Sequence, residues 1–308
     1  MTALDDETIT TVRSSLAELF AKDPDTVIDA LDDLGWSDIV AADSVTATVL
    51  LFEEQGRALA STRLLDSVVM KALAPLGLPD TTNVAYDSIT LGPITSDTVL
   101  LLSEDRVSTV PADALAGRVH DATGFDRSGP WRRLDLAARE TTLLSPEADL
   151  LARTVADARL ALAAEIVGVC EAAVQLTVAH TSLRQQYGRP LATFQAVRHG
   201  LAESYAATEH ARVTVTAALV AARDESDCEA ITTFARLAKH RAGAAQAIVM
   251  RNAVQLHGAM GLTLESDVHR YVSRAGVLDI LLGSHVALAH RLGEDLLAGG
   301  SPRALVAI

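Results

Sequence analysis

Three long helical stretches joined by short connections fill the second half of this 308-residue chain, and they dictate its architecture. Apolar residues recur at helical spacing from Ser145 to about Gln186, from about Thr193 to Asp224 and from about Asp227 to Gly258. Pro146 can sit near the first helical position, and Gly258 is a natural stop. Shorter helical patterns follow over Glu265–Ser273 and Val277–Leu297. Long helices with short joins pack antiparallel, so residues 145–308 are expected to form a four-helix-type bundle. Aromatic residues make up only 4% of the chain, so the core must be Ala, Leu and Val, and small side chains let helices approach closely.

The first 78 residues also read as helices. Ile9, Val12, Leu16, Leu19 and Phe20 share one face between Asp5 and Lys22. Pro24 can open a second helix, whose Val27, Ile28, Leu31 and Leu34 lead to Gly35 as a C-cap. Val45–Leu59 and Leu64–Leu76 are two more. Composition then shifts. Residues 79–144 carry Pro79, Pro93, Pro111 and Pro130, several glycines, and β-type runs at Thr98–Leu102 and Arg106–Val110. The expected organisation is mainly α with a small β insert: an N-terminal helical domain (1–78), a reduced middle β domain (79–144) and a C-terminal helical bundle (145–308).

A net charge of −14 argues against duplex nucleic acid or an anionic membrane as partner, because both select basic surfaces. No run of about 18 uncharged apolar residues is apparent, so no membrane span is expected. The opening MTALDDETIT lacks the features of a signal peptide. Cys170 and Cys228 are the only cysteines; they support neither a disulfide framework nor a zinc ribbon and suit a reducing cytoplasm. His257, His269, His285 and His290 have no metal-binding spacing, so no metal is expected. Ser284 and His285 are adjacent without a nucleophile elbow, and no GxGxxG or Walker A sequence occurs.

Two segments carry chemistry. Arg184–Gln185–Gln186–Tyr187–Gly188–Arg189–Pro190–Leu191, followed by Phe194–Gln195, closes one long helix and opens the next. Gly188 and Pro190 fix the corner, so Arg184 can offer its planar fork of donors to a phosphate from a rigid position. Gln255–Leu256–His257–Gly258–Ala259–Met260–Gly261–Leu262–Thr263–Leu264–Glu265 ends the third long helix, where Gln255 supplies a donor and an acceptor and the glycines permit close approach. Each segment alone is equally compatible with an ordinary interhelix turn or C-cap.

Together, in this architecture, the two segments resemble those of the flavin-dependent acyl-CoA dehydrogenases; Leu34–Gly35–Trp36 and Phe52–Glu53–Glu54–Gln55–Gly56–Arg57–Ala58–Leu59 resemble the N-terminal domain of that family. The resemblance implies FAD bound across a subunit interface, with helical domains flanking a β domain. It implies that Arg184, Gln186, Tyr187, Leu191, Phe194, Gln195, Gln255, Gly258 and Ala259 belong to the half-site donated to a neighbour's FAD pyrophosphate and adenosine, with Ala259 standing where a second glycine is usual. It also implies an acyl-CoA substrate and an electron-transfer flavoprotein or similar acceptor.

The other half of the pattern is eroded. The family's catalytic base is a Glu that removes the α-proton of the thioester. At the two positions where members carry it, this chain has Leu282 and Ala158, and neither can titrate. No counterpart of the Thr- and Ser-containing segment set against the flavin is recognisable, and Val286 replaces a polar cofactor contact. The resemblance thus implies a non-catalytic subunit of a heteromeric (α2β2) dehydrogenase of the actinobacterial steroid type, paired with a complete sister chain. Two alternatives stand beside it. One is a homo-oligomeric enzyme with a relocated base, Glu265 being nearest by sequence, with Glu165 and Glu171 on the long helix; the other is a non-enzymatic scaffold.

Overall fold

A computed structural model describes residues 4–22, 26–122, 126–127, 129–136 and 141–300; Pro24 lies outside them. Among the described residues five α-helices come first: α1 (Asp6–Phe20), α2 (Val27–Asp33), α3 (Trp36–Ala42), α4 (Ser44–Ala58) and α5 (Leu64–Ala72). Asp5 caps α1 by accepting from the Thr8 N–H, and Asp43 caps α4 by accepting from the Val45 and Thr46 N–H groups. Leu16, Leu19 and Phe20 bury the expected face of α1. Gly35, at φ 66°, turns the chain out of α2 and directly into α3, a short helix the periodicity does not announce. The helix expected over Leu64–Leu76 stops at Ala72 and resumes as a 3-10 turn at Ala74–Leu76, because Pro75 supplies no amide hydrogen.

The middle segment forms one seven-stranded sheet in the order β5-β6-β2-β1-β3-β4-β7. Its strands are β1 (Asn83–Tyr86), β2 (Ile89–Thr90), β3 (Thr98–Leu102), β4 (Val107–Pro111), β5 (Val119–Asp121), β6 (Arg132–Leu134) and β7 (Thr142–Leu144). β1 and β3 pair in parallel at its centre, and β3 and β4 form a hairpin. Alternation along the strands divides the apolar residues between two faces. Tyr86, Leu100, Leu102 and Val107 join the main core, while Ala85, Val99, Val110 and Leu134 form a second, smaller one.

The rest is helical: α6 (Ala148–Leu183), α7 (Gln195–Asp224), α8 (Cys228–His257), α9 (Val268–Ile280) and α10 (His285–Leu297). α6 is the central post, buried on nearly every face over Val155–Val174 by α4, α7, α8 and α9. By length and apolarity alone α6 could cross a membrane, as could the stretch Val268–Leu297, contrary to the sequence expectation; 78% of the apolar window of α6 is buried inside the protein. α6 and α4 cross in backbone contact. A Cβ on Gly56 would stand 2.2 Å from the Glu165 carbonyl oxygen, and one on Gly168 2.0 Å from that of Glu53. The helical patterns expected over Glu265–Ser273 and Val277–Leu297 divide elsewhere, with α9 running through to Ile280 and the break falling at Leu281–Ser284. That break is fixed from outside the segment, as described below.

Candidate functional site

α6 was expected to reach Gln186 but ends at Leu183. Gln185–Gln186 (β8) and Arg189–Pro190 (β9) form a small hairpin whose turn residues, Tyr187 and Gly188, both have positive φ (54° and 76°). Two successive positive φ values match the right-handed twist of a hairpin, so the corner is rigid. The Leu191 N–H donates to the Arg184 carbonyl at 2.8 Å and closes it. Gly258 ends α8 at φ 63°, with no atom within 4 Å of where a Cβ would lie, so only backbone conformation demands glycine there.

These two corners meet. Arg184, Leu191, Gln255, Gly258 and Ala259 line one open cavity of about 540 Å³ at the ends of α6 and α8 and the start of α7. Gln186, Tyr187, Phe194 and Gln195 lie on the adjoining hairpin and helix start rather than in its lining. Tyr187 is 93% exposed, and its ring meets Phe194 edge-on at 6.2 Å. The Arg189 guanidinium stacks on the other ring at 4.2 Å. The lining adds two residues not assigned to it from sequence, His180 and His257, whose rings stack at 4.2 Å. The available signal for His180 is its place one helical turn before Arg184.

The second region surrounds Leu282 and Ala158, both buried. Arg159, 1% exposed, donates its Nε to the Leu282 carbonyl at 2.9 Å, and its Nη2 lies 3.3 Å from Glu104 Oε2. Arg236 bonds Glu104 at 2.7 Å and Asp295 at 2.8 Å. Lys239 is fully buried on α8 and donates to the Asp279 carbonyl at 2.8 Å, with the Gly283 carbonyl at 3.5 Å. Asp279 in turn accepts from the His285 N–H at 3.0 Å and lies 2.7 Å from His285 Nδ1. Two buried cations therefore hold the carbonyls that α9 leaves open at its end, and they force the turn in which Leu282 takes φ 55°. Burial pushes Lys239 down to about 7, against the pull of Asp279. Burial also lowers Arg159; it opposes ionisation of Glu104, but Arg159 and Arg236 hold that carboxyl below its usual range.

Of the carboxylates considered as relocated bases, Glu165 and Glu171 are held in ion-pair networks and Glu265 faces solvent. Glu265 is exposed and precedes α9; Asp267, not Glu265, occupies the N-cap position. Glu165 is buried beside Gln55 (2.8 Å) and Arg274 (3.6 Å); burial raises its pKa, with Arg274 opposing. The cavity bordering Glu165, Gln55 and Arg274 is only about 10 Å³, room for a single water. Arg274 itself, 1% exposed, bonds Asp126 at 2.8 Å, the Ala60 carbonyl at 3.0 Å and Ser61 Oγ at 2.7 Å, tying the three parts of the chain together. Glu171 is paired with Arg57 and Arg212 in a cluster that also takes in Glu53, Glu54 and Arg13. Burial opposes ionisation of Glu171, yet the two guanidinium groups hold its pKa down.

Among the described residues no three His, Cys, Asp or Glu side chains gather as metal ligands. The histidines singled out by sequence part company: His257 stacks on His180, His269 Nδ1 lies 2.7 Å from the Ser266 carbonyl, His285 pairs with Asp279, and His290 is exposed.

Residues 149–297 match the family model "Acyl-CoA dehydrogenase, C-terminal domain". The chain is 32% identical over 268 residues to the acyl-CoA dehydrogenase IpdE2 of Mycobacterium tuberculosis, covering 83% of this chain and 79% of that protein. It is 27% identical over 262 residues to the IpdE2 of Mycolicibacterium smegmatis, covering 83% and 80%. Among solved structures, a variant of the Tcur3481-Tcur3483 steroid ACAD superposes with a TM-score of 0.72 at 23% identity over 95% of this chain and 98% of that one. The ChsE4-ChsE5 complex of M. tuberculosis superposes with a TM-score of 0.67 at 19% identity over 98% and 100%. At such identities the superpositions establish the fold.

Proposed function

The chain belongs to the acyl-CoA dehydrogenase family of oxidoreductases, and from that premise we propose that it is the non-catalytic subunit of a heteromeric, FAD-dependent member. It lends the pyrophosphate and adenosine half of the FAD site to a sister chain that carries the base. The observation that carries this reading is the one-sidedness of the two regions. At one, Arg184 and Gln255 line an open cavity with a guanidinium and an amide, a donor set that suits a diphosphate diester. At the other, the positions of the family's base hold Leu282 and Ala158, and the charged groups buried beside them, Arg159 and Lys239, are cations bonded to backbone carbonyls rather than a carboxylate.

When bound, FAD supplies the acceptor for the hydride lost from the thioester's β-carbon as the acyl-CoA becomes a 2-enoyl-CoA. The part of this chain is to bind and orient. Arg184 is anchored by the closed corner, so its guanidinium is presented without loop ordering. Gln255 faces the same space from the end of α8. The exposed Tyr187–Phe194 pair beside the cavity offers an aromatic surface to the sister subunit. The chain's own flavin half departs from the family pattern, because apolar Leu282 and Ala158 stand at the base positions with buried Arg159 and Lys239 beside them. A bulky steroid-derived acyl-CoA as substrate is supported by the steroid ACAD among the similar folds, and an α2β2 assembly by the heteromeric ChsE4-ChsE5 complex. An electron-transfer flavoprotein or similar acceptor, and a cytoplasmic setting, complete the proposal.

The test is expression of the full chain alone and together with a complete sister dehydrogenase. The lone chain should purify nearly colourless, and the pair should be yellow and active. Arg184→Ala in the pair should weaken FAD binding by about 1.5–3 kcal/mol, the loss of a charge-assisted phosphate contact. A lone chain that retains stoichiometric flavin and oxidises acyl-CoA defeats the proposal and favours the self-contained enzyme. Unaltered flavin content in the Arg184→Ala complex makes the site vestigial and favours a scaffold.

A further inference from the structure

The half-site just proposed has an electrostatic difficulty. α6 and α8 both end at the cavity, and helix C-termini carry about half a negative charge each, whereas the start of α7 returns only about half a positive one. Arg184 adds one positive charge. Against a diphosphate diester, with about two negative charges at neutral pH, the site is left short of cation. Titratable groups at the cavity itself are the source of further charge that this chain can offer.

The structure supplies one titratable pair there. His180 lies in the last turn of α6 and His257 in the last turn of α8, so both rings stand at helix C-termini that border the cavity. His257 is buried, with Nδ1 2.8 Å from the Ala253 carbonyl; His180 is half-buried and borders the cavity. The remaining neighbours are accounted for. α7 presents Ala196 and Val197 to the cavity, and the 3-10 turn before it presents Leu191, so Arg184 and the two histidines are the charged or titratable groups lining it among the described residues. Arg189, on the hairpin, is held over Phe194 instead.

We infer that His180, stacked on His257, is a phosphate-binding group of this half-site, and that the diphosphate is gripped most tightly when His180 carries a proton. This inference rests on the half-site reading above. With no ligand present, burial, His257 and Arg184 hold His180 below its ordinary value near 6.5. A dianion beside it reverses that bias, so binding draws in a proton and tightens as pH falls, by up to about tenfold per pH unit in the window between the free and bound values.

The probe is ADP-ribose, an adenosine diphosphate diester whose charge is constant across the range. Its binding to the flavin-stripped complex of this chain with its sister dehydrogenase is measured by calorimetry from about pH 8 to about pH 6. The wild type should tighten several-fold or more as pH falls. His180→Gln and His180→Phe, the second keeping a ring to stack on His257, should bind as the wild type does at pH 8 and lose the pH dependence. Arg184→Ala should bind more weakly throughout and keep the dependence. Binding that is lost in Arg184→Ala but flat with pH in the wild type, or a pH dependence that survives in His180→Phe, overturns this inference and leaves the half-site standing. No binding at any pH, or equal binding by wild type and Arg184→Ala, overturns the half-site itself and this inference with it.

Discussion

Lys239→Met tests whether the turn at Leu282 is held by a buried cation. Lys239 is fully buried and its ammonium is pushed from 10.5 down to about 7 by loss of solvent. Between those values the unfolded chain holds a proton that the folded chain releases, so stability rises with pH as the native amine deprotonates. One proton's difference is worth about 1.4 kcal/mol per pH unit, and the native amine is still half-protonated at the start of the window. The expected gain between about pH 7 and about pH 8.5 is therefore roughly 1–2 kcal/mol. The range avoids the raised carboxyls Asp66 and Asp157, both about 6, and precedes most of the effect of Cys170, whose buried thiol is pushed up and acts with the opposite sign at higher pH. Met keeps the chain length and removes both the titration and the bonds to Asp279 and Gly283, a loss that is the same at every pH. The assay is denaturant unfolding of wild type and variant at both pH values. The wild type should gain stability relative to Lys239→Met. A gap that does not change with pH, or that widens against the wild type, refutes the reasoning.

Other perturbations follow from the same packing. Arg274→Met removes the cation buried among Asp126, Glu165 and the Ala60 carbonyl and should cost about 3–5 kcal/mol in equilibrium unfolding; a loss under 1 kcal/mol contradicts the network. Gly168→Ala must push a methyl into the Glu53 carbonyl, since the gap is 2.0 Å, and should lower stability by about 1–3 kcal/mol or more, read from the same unfolding curves. Leu282→Glu restores a carboxylate at the family's base position, but in a buried turn gripped by Arg159; 2-enoyl thioester formation by the lone chain should stay at background, and any turnover shows that the half-site is merely unarmed rather than filled.

The sequence was informative where physics is local. Apolar periodicity marked α1, α4, α6, α7 and α8 within a few residues, and the β3–β4 hairpin was visible as two β-branched runs between prolines. Short elements were not. β2, β5, β6 and β7 are two or three residues long, and they exist because partner strands supply their hydrogen bonds. α3 starts where Gly35 permits a left-handed turn, a residue that reads from sequence only as a stop. The end of α9 was misjudged because Arg159, from more than a hundred residues earlier, and Lys239 bond the carbonyls beyond Ile280; nothing between Ser273 and Ser284 records that.

The candidate site divides in the same way. Arg184 and Gln255 were marked by motif, and Leu282 and Ala158 by the absence of an acid where one is usual; both depend only on which residue stands at which position. That the two motifs share a cavity, that His180 and His257 stack at its edge, and that Arg159 and Lys239 are buried against the turn at Leu282 depend on side chains far apart in sequence. Periodicity and motif spacing, being properties of neighbouring residues, determined the helical bundle and marked the two corners proposed to face phosphate. Only the tertiary structure decided which side chains meet at those corners and which cations are buried behind the turn at Leu282, because sharing a cavity and burying charge are relations between helices, and no single helix contains them.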